Sequence, residues 1–253
     1  MSLTNRHSAI LSQIRANGSV SVLDLSEKLQ VSEVTIRKDL RVLEERKLLF
    51  RKHGGASLSN SYANQRPVSE KANIQADEKA RIAKAAAALI AETDSVILGS
   101  GTTVKAMARY IHPDHKLNII TSSLAISLEL AQRNLVSVTQ LGGLMRGSSD
   151  SVVGPYAESF MDQITCGMLF LGVDGIDLNY GITTTNLLEA RLNQRFIEVS
   201  HITVLLADSS KFGKRGFGKI CNLDAIQHII TDSSINQEVV HELEDLGIQV
   251  TVV

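Results

Sequence analysis

The residues best suited to chemistry in this chain fall in five short clusters of glycine, hydroxylic and charged side chains. Gly99-Ser100-Gly101-Thr102-Thr103 stands directly before a helical stretch. Thr121-Ser122-Ser123 comes next, then Gly142-Gly143 with Arg146 just beyond, then Gly172-Val173-Asp174-Gly175. The last is Ala207-Asp208-Ser209-Ser210-Lys211-Phe212-Gly213. Small residues let backbone N–H groups approach an anion closely, and hydroxyls add donors. Lys211 supplies an ammonium, while Asp174 and Glu189 supply carboxylates that accept hydrogen bonds from sugar hydroxyls. The set reads as a phosphate held by residues 100–103 and Lys211, with a polyol beside Asp174 and Glu189. Taken singly, each cluster is an ordinary turn; gathered on one edge of one sheet, they make a ligand site. The alternative use is catalysis by a sugar-phosphate isomerase or deaminase, which needs a carboxylate or His as general base. Glu189, Asp174 and Asp208 are the acids near the site, whereas His112, His115, His201, His228 and His241 lie outside the clusters. Neither Cys-x-x-Cys nor His-x-x-x-His occurs, so no metal is expected, and no cofactor.

A second constellation lies near the N-terminus. Ser21 and Asp24 read as a capping box opening a short helix through Leu23, Leu25 and Leu29. Gln30-Val31-Ser32 is a turn, and Ser32 caps the next helix. That helix is expected to send Val34, Ile36, Leu40 and Leu43 to a core and to show Glu33, Thr35, Arg37, Lys38 and Arg41 outward. Two short helices around a tight turn form the helix-turn-helix pattern, whose second helix enters the major groove of double-stranded DNA. The Arg37 guanidinium suits guanine O6 and N7, Thr35 a thymine methyl or a phosphate, and Lys38 and Arg41 phosphates. Arg51, Lys52 and His53 form the basic tip of a wing, with Gly54-Gly55 turning the backbone between two extended pieces.

The elements that must position these residues follow the apolar pattern. Before the capping box, Ile10, Leu11 and Ile14 fall at helical spacing and Asn17-Gly18 ends their helix. Residues 58–76 are Ser- and Asn-rich and read as a linker. Asp77-Glu78 then opens an Ala-rich helix. Apolar runs at 96–98, 117–121, 136–141, 168–173, 203–207, 226–231 and 249–253 alternate with helical stretches at 104–111, 124–132, 188–199 and 236–246. Near-continuous apolar strands separated by helices imply an α/β fold with a mostly parallel sheet flanked by helices on both faces, whose ligands bind at the strands' carboxyl ends. The expected organisation is a winged helix-turn-helix over 1–57, the linker, and a sensing and oligomerisation domain over 77–253.

Composition bounds the rest. A chain of 253 residues with 43% hydrophobic and 21% charged residues is ordinary for a globular protein. Aromatics at 4% and no Trp argue against stacking platforms for single-stranded nucleic acid. Residues 1–57 hold 10 Lys and Arg against 6 Asp and Glu, so a head of net +4 sits on an acidic remainder. Cys166 and Cys221 cannot build a disulfide framework and read as reduced core thiols. Neither a signal peptide nor a membrane span is expected, which suits the cytoplasm.

The stretch from Val31 to Ala56 resembles the DeoR family of bacterial repressors of sugar metabolism, including its glycerol-3-phosphate-repressor-like members. The matching residues are Val31-Ser32, Thr35-Ile36-Arg37, Asp39-Leu40, Leu43-Glu44, Arg51 and His53-Gly54-Gly55-Ala56. Two positions depart: Lys38 replaces a second Arg, losing bidentate geometry, and Lys47 replaces a Gly that would close the recognition helix. The clusters GSGTT, TSS, LGG, GVDGI and ADSSKFG resemble the family's sensor domain. That resemblance implies a fold similar to ribose-5-phosphate isomerase, glucosamine-6-phosphate deaminase and CoA-transferase-like proteins, and a phosphorylated sugar as effector. Residues 168–195 look like the members that regulate N-acetylgalactosamine and galactosamine use, which implies an amino-sugar phosphate. The function implied is a repressor that leaves its operator when the effector binds. One small head makes few contacts, so a homodimer or homotetramer is expected.

Replacing Lys52 by Ala is expected to weaken DNA binding regardless of sequence and to lower the salt slope by about 1. Titrations at several salt concentrations measure this, and an unchanged slope takes Lys52 off the DNA.

Overall fold

A computed structural model describes residues 3–46, 48–52, 54–57 and 68–253. Contacts divide the chain into two compact units, Met1–Ala63 and Asn64–Val253.

The first unit begins with helix α1 (Leu3–Asn17), strand β1 (Ser19–Ser21) and helix α2 (Val22–Leu29). The Ser21 side chain accepts from Asp24 N–H and caps α2, while Gln30 ends it in the left-handed region at φ 53°. Ser32 caps helix α3 (Glu33–Glu45), accepting from Thr35 N–H. The far end of α3 closes where Leu48 N–H donates to the Leu43 carbonyl, a bond of the Schellman type. Strands β2 (Phe50–Lys52) and β3 (Gly55–Ser57) form the wing hairpin. β1 adds to β3, giving the antiparallel order β1-β3-β2. Gly55 is required here, because a Cβ would lie 2.0 Å from the Val20 carbonyl oxygen.

The core of this unit is Ile10, Ile14, Val22, Leu25, Ile36, Leu40, Leu43, Leu49 and Ala56. Val34, expected to face it, does not: it is 60% exposed, and Leu23 of α2 is 57% exposed. On α3 the buried positions are 36, 39, 40 and 43, and residue 34 stands on the far side of that stripe. Asp39, His7 and Ser57 are buried polar residues of this unit, and Asp39 is 3% exposed. It accepts from Arg6 Nε, from Arg6 Nη2 at 2.9 Å and from His7 Nε2 at 3.1 Å, tying α1 to α3. Burial pushes the Asp39 carboxyl up, but the hydrogen bonds from Arg6 and His7 outweigh it and hold it below the usual carboxylate range.

The second unit opens on helix α4 (Val68–Ala72) and helix α5 (Ala76–Ala88). Of the segment 58–76 read as a linker, residues 58–67 lie outside the described residues; the rest is built into this unit. The order continues with β4 (Ser95–Leu98), α6 (Thr102–Ala108), β5 (Leu117–Thr121), α7 (Leu124–Leu130) and β6 (Val136–Gln140). A hairpin follows, β7 (Leu144–Arg146) and β8 (Ser151–Val153), then α8 (Pro155–Phe160) and β9 (Cys166–Gly172). Next come β10 (Gly175–Asp177), β11 (Gly181–Thr184), α9 (Leu187–Glu198), β12 (Ser200–Leu206) and β13 (Gly218–Cys221). The chain finishes with β14 (His228–Thr231), α10 (Gln237–Asp245) and β15 (Gln249–Val252).

The central sheet has seven strands in the order β15-β14-β12-β9-β4-β5-β6. Every pairing in it is parallel. These are the seven apolar runs of the sequence. Alternate residues feed two cores, as the period of a strand requires. Ile97, Leu169, Leu171, Leu205 and Ile229 pack with Ala157, Phe196 and Leu243 of α8, α9 and α10. Val96, Leu98, Phe170, Val204 and Ile230 pack with Ile82, Met107 and Ile126 of α5, α6 and α7. Burying a side chain such as Phe170 stabilises by about 2–3 kcal/mol. β10, β11 and β13 form a small antiparallel sheet that the sequence pattern did not reveal.

Cys166 is buried and Cys221 half-buried, both as free thiols. Burial, with Asp224 nearby, pushes the Cys221 thiol up to about 12, so it stays protonated and unreactive. Among the described residues no helix is long and apolar enough to cross a membrane.

Asp39→Ala is expected to destabilise the first unit by about 3 kcal/mol, because Arg6 is left without its buried partner. With a folded pKa below the unfolded one, the Asp39 carboxylate stabilises fully above the unfolded value near 4. That contribution is lost as pH falls through the folded value. Urea and acid unfolding of wild type and variant test both statements; equal midpoints would remove Asp39 from the account.

Candidate effector pocket and DNA-reading face

In the second unit, one cavity opens at the carboxyl ends of the central strands. Its walls are residues 100–103 following β4, Gly172 ending β9 with Val173 and Asp174 beyond it, Leu206 ending β12 with Lys211 beyond it, and Thr184, Thr185 and Glu189 before and within α9. Arg146, Ser148 and Ser149 of the β7–β8 turn close one side, and Val68, Lys71 and Lys79 of α4 and α5 another.

Each wall is placed by a local cause. Gly101 sits at φ +127° at the start of α6, a conformation other side chains rarely adopt. It takes no side-chain cap there, so the first N–H groups of α6 have no side-chain acceptor from that residue. Asn186 caps α9 by accepting from Glu189 N–H, which fixes the base of the Glu189 side chain. The 209–211 turn is held by two buried carboxylates: Asp208 accepts from Ser210 N–H at 3.1 Å, and Asp232 accepts from Ser209 N–H at 2.6 Å.

The pocket carries four cationic side chains, Lys71, Lys79, Arg146 and Lys211, against two carboxylates, Asp174 and Glu189. Lys71 Nζ donates to Asp174 Oδ1 at 2.8 Å. Asp174 Oδ2 accepts from the Thr184 hydroxyl at 3.1 Å, the Thr185 N–H at 3.1 Å and the Thr185 hydroxyl at 3.2 Å. Burial pushes Asp174 up, but Lys71, then the Lys211 charge and the Thr185 N–H, more than offset it, so the carboxyl lies below its ordinary value. Glu189 accepts from Ser100 at 2.9 Å, from Arg146 at 2.5 Å and from Thr184 at 3.1 Å. Both carboxylates are thus pinned by cations and hydroxyls, an arrangement suited to holding ligand hydroxyls rather than to taking a proton from a carbon acid.

Lys79 is 6% exposed and donates to the carbonyls of Lys71 at 2.6 Å and Ile74 at 2.5 Å. Burial pushes Lys79 below its ordinary value; the Asp208 charge opposes this, and the charges of Lys211 and Lys71 add to it. The Lys211 N–H donates to the Asp208 carbonyl at 2.9 Å, while its side-chain ammonium has no hydrogen-bond or ion-pair partner among the described residues.

Of the residues singled out from sequence, Ser100, Gly101, Thr102, Thr103, Asp174, Glu189 and Lys211 line this cavity. Ser122, Ser123, Gly142, Gly143 and Gly175 do not. Ser123 caps α7 and bridges Ser151, and the Ser122 carbonyl accepts from Val152 N–H. Gly142 and Gly143 form the turn from β6 into β7; a Cβ on Gly143 would meet the Val153 carbonyl oxygen at 2.6 Å. Gly175 starts β10 and packs on the Lys214 backbone. The strands β5 and β6 that carry the first four stand toward one edge of the sheet, away from its middle.

Lys71, Lys79, Thr184 and Thr185 escaped the sequence reading, and Arg146 was noted only as lying beyond a Gly pair. A signal for Lys79 exists. Its position repeats with Ile82, Ala83 and Ala86 at helical spacing, so it falls on the buried face of α5.

In the first unit, Arg37, Lys38, Arg41 and Arg51 are exposed and Thr35 is half-buried. Arg37 pairs with Glu33 at 2.6 Å, one turn back along α3. The Ser32 hydroxyl serves as the α3 cap and lies 3.0 Å from the Thr35 hydroxyl. The Arg51 N–H donates to Glu44 at 3.0 Å. Lys52 belongs to β2; His53 and Lys47 lie outside the described residues. Val34 is a feature of the exposed face that apolar patterning misassigned.

A family model described as the DeoR-like helix-turn-helix domain matches residues 6–62, and one described as the DeoR C terminal sensor domain matches residues 74–233. Relatives match along nearly the whole chain. YulB of Bacillus subtilis (strain 168), an uncharacterized HTH-type transcriptional regulator, is 36% identical over 100% of this chain and 98% of its own. A protein of Escherichia coli O157:H7, provisionally named an aga operon transcriptional repressor, is 36% identical over 99% and 94%. The glycerol-3-phosphate regulon repressor of Escherichia coli (strain K12) is 30% identical over 98% of each chain. Among solved structures, ribose 5-phosphate isomerase A from Methanocaldococcus jannaschii overlays loosely, over 55% of each chain at 16% identity with a TM-score of 0.39.

Proposed function

The chain belongs to the DeoR family of helix-turn-helix transcriptional regulators, and on that premise we propose that it is a repressor of carbohydrate genes released from its operator by a phosphorylated sugar. Members of the family regulate transcription; the chain is a regulator and not an isomerase or deaminase. The observation that carries the finer reading is one chain holding both an exposed basic recognition helix and a strand-end pocket with more cations than carboxylates.

On the DNA side, α3 lies in the major groove. Arg37 exchanges Glu33 for a guanine edge, and Lys38 and Arg41 meet phosphates. Thr35 and the exposed Val34 offer apolar contact to thymine methyls. Ser32 positions the helix through its cap, while Arg51, Lys52 and His53 carry the wing to the backbone. On the ligand side, the effector phosphate lies against residues 100–103 and Lys211, and its hydroxyls reach Asp174 and Glu189. An amino-sugar phosphate is the first candidate, supported by the resemblance of residues 168–195; a relative named for a glycerol-3-phosphate regulon supports the phosphate. The protein works as a homodimer or homotetramer on repeated half-sites, in the cytoplasm. Binding of effector and DNA is coupled by about 1–3 kcal/mol, typical of such linkage.

Fluorescence anisotropy on the DNA upstream of its own gene, with and without a panel of sugar phosphates, tests the reading. Salt-sensitive, sequence-preferring binding released by one compound is expected; absence of any release overturns the effector assignment. Arg37→Ala should cost about 1–3 kcal/mol and relax one base preference, whereas an equal loss on every sequence would make Arg37 a phosphate contact. Lys211→Ala should bind DNA normally and ignore the effector; normal induction would place the pocket elsewhere.

A further inference from the structure

Helix α4 is fastened to the second unit in an unusual way. Among the described side chains of residues 68–74 none is buried, and Ile74 is 42% exposed. Among the described residues, four polar ties hold the segment beside its packing against α6. Val68 N–H donates to the Ser148 carbonyl at 3.0 Å. Lys71 Nζ donates to Asp174 at 2.8 Å. Lys79 Nζ donates to the carbonyls of Lys71 at 2.6 Å and Ile74 at 2.5 Å. All four end on residues that line the strand-end cavity. The first helix after the segment that leads from the DNA-reading head is therefore attached through the ligand pocket itself.

We propose that Lys71 is a further anion-binding residue of this pocket, and that an entering phosphate competes with Asp174 for it, so that the Lys71–Asp174 ion pair acts as the latch by which ligand occupancy reaches α4. The inference rests on the reading of this cavity as a phosphate site. Lys71, Lys79 and Lys211 are close enough for the charges of Lys71 and Lys211 to act on Lys79, and for both to act on Asp174. Three ammonium groups share one carboxylate and the buried Asp208. A phosphate dianion offers more charge and more acceptor oxygens than the single Asp174 oxygen that Lys71 now uses. Asp174 keeps the Thr185 N–H and hydroxyl on its other oxygen when Lys71 leaves, with a Thr184 hydroxyl it shares with Glu189. Lys71 is one of the few fastenings of a five-residue helix with no buried side chain, so moving it costs little packing. Lys79 is different: its carbonyl acceptors belong to the α4–α5 connection, so it carries any shift of Lys71 along that connection.

The test uses the full chain and inorganic phosphate, which lacks hydroxyls for Asp174 to hold. Titration calorimetry in a phosphate-free buffer compares wild type with Lys71→Gln, Lys71→Arg and Asp174→Asn, each checked for an unchanged melting profile. Lys71→Gln should weaken phosphate binding by about tenfold, within the usual range for coupled sites, and Lys71→Arg should recover most of it. Asp174→Asn should tighten binding, because the competitor for Lys71 has lost its charge. Deuterium uptake in residues 68–74 should change on adding phosphate to wild type and not to Lys71→Gln. Opposite signs from the two partners of one ion pair are the signature of competition; a loss in both, or no change in either, overturns the latch. If wild type binds no phosphate, or Lys211→Ala binds it as well as wild type does, the phosphate site itself fails and the latch with it.

Discussion

A parallel sheet covered by helices on both faces leaves its polar residues one place to go. The inner strands of the central sheet, β5, β4, β9, β12 and β14, feed two apolar cores, so a charge in mid-strand there would be buried without a partner. Polar residues collect instead where the strands end and the chain turns into a helix. At the middle of the sheet, β4, β9 and β12 end side by side, and their following loops bring residues 100–103, Asp174 and Lys211 to one cavity. The rest of the candidate site depends on that constraint. It places the loops, and the loops decide which side chains can reach a shared ligand.

Within the cavity four cationic side chains face two carboxylates. Asp174 and Glu189 are each neutralised by a cation and surrounded by donors, yet Lys211 is left over and Lys79 is buried against carbonyl oxygens alone. Burial lowers the pKa of Lys79, and the charges of Lys211 and Lys71 add to that lowering. The same geometry disfavours catalysis, since neither carboxylate is free to act as a base and the family to which the chain belongs regulates transcription.

The head solves a smaller problem by different means. Nine buried apolar residues are a modest core, and the ion pair of Asp39 with Arg6 and His7 joins the first helix to the recognition helix. Such a pair adds little net stability beyond what apolar residues would give, but it fixes geometry, because only one docking of α1 on α3 satisfies all of its hydrogen bonds. The recognition face is thereby presented at a set angle, with its helix start pinned by the Ser32 cap.

Much of this was legible from the sequence alone. Apolar runs bounded by turns marked all seven strands of the central sheet: inner strands buried on both faces are near-continuously apolar, and edge strands such as β6 keep alternate apolar residues. Ser21 and Ser32 announced two helix starts, because a side-chain oxygen is needed there to satisfy an unpaired N–H. Loop composition marked seven of the twelve proposed effector residues that the cavity contains. Only the tertiary structure decided the others. Gly142, Gly143, Ser122 and Ser123 lie on strand-end loops like the rest, but lateral strand order, which no local pattern encodes, sends them toward the sheet's edge. Lys71, from a stretch that reads as linker, and Arg146, from a short hairpin, enter the site through contacts 103 and 43 residues away in sequence. Their types are ordinary surface types; burial and partners gave them a role, and those exist only once the chain has folded.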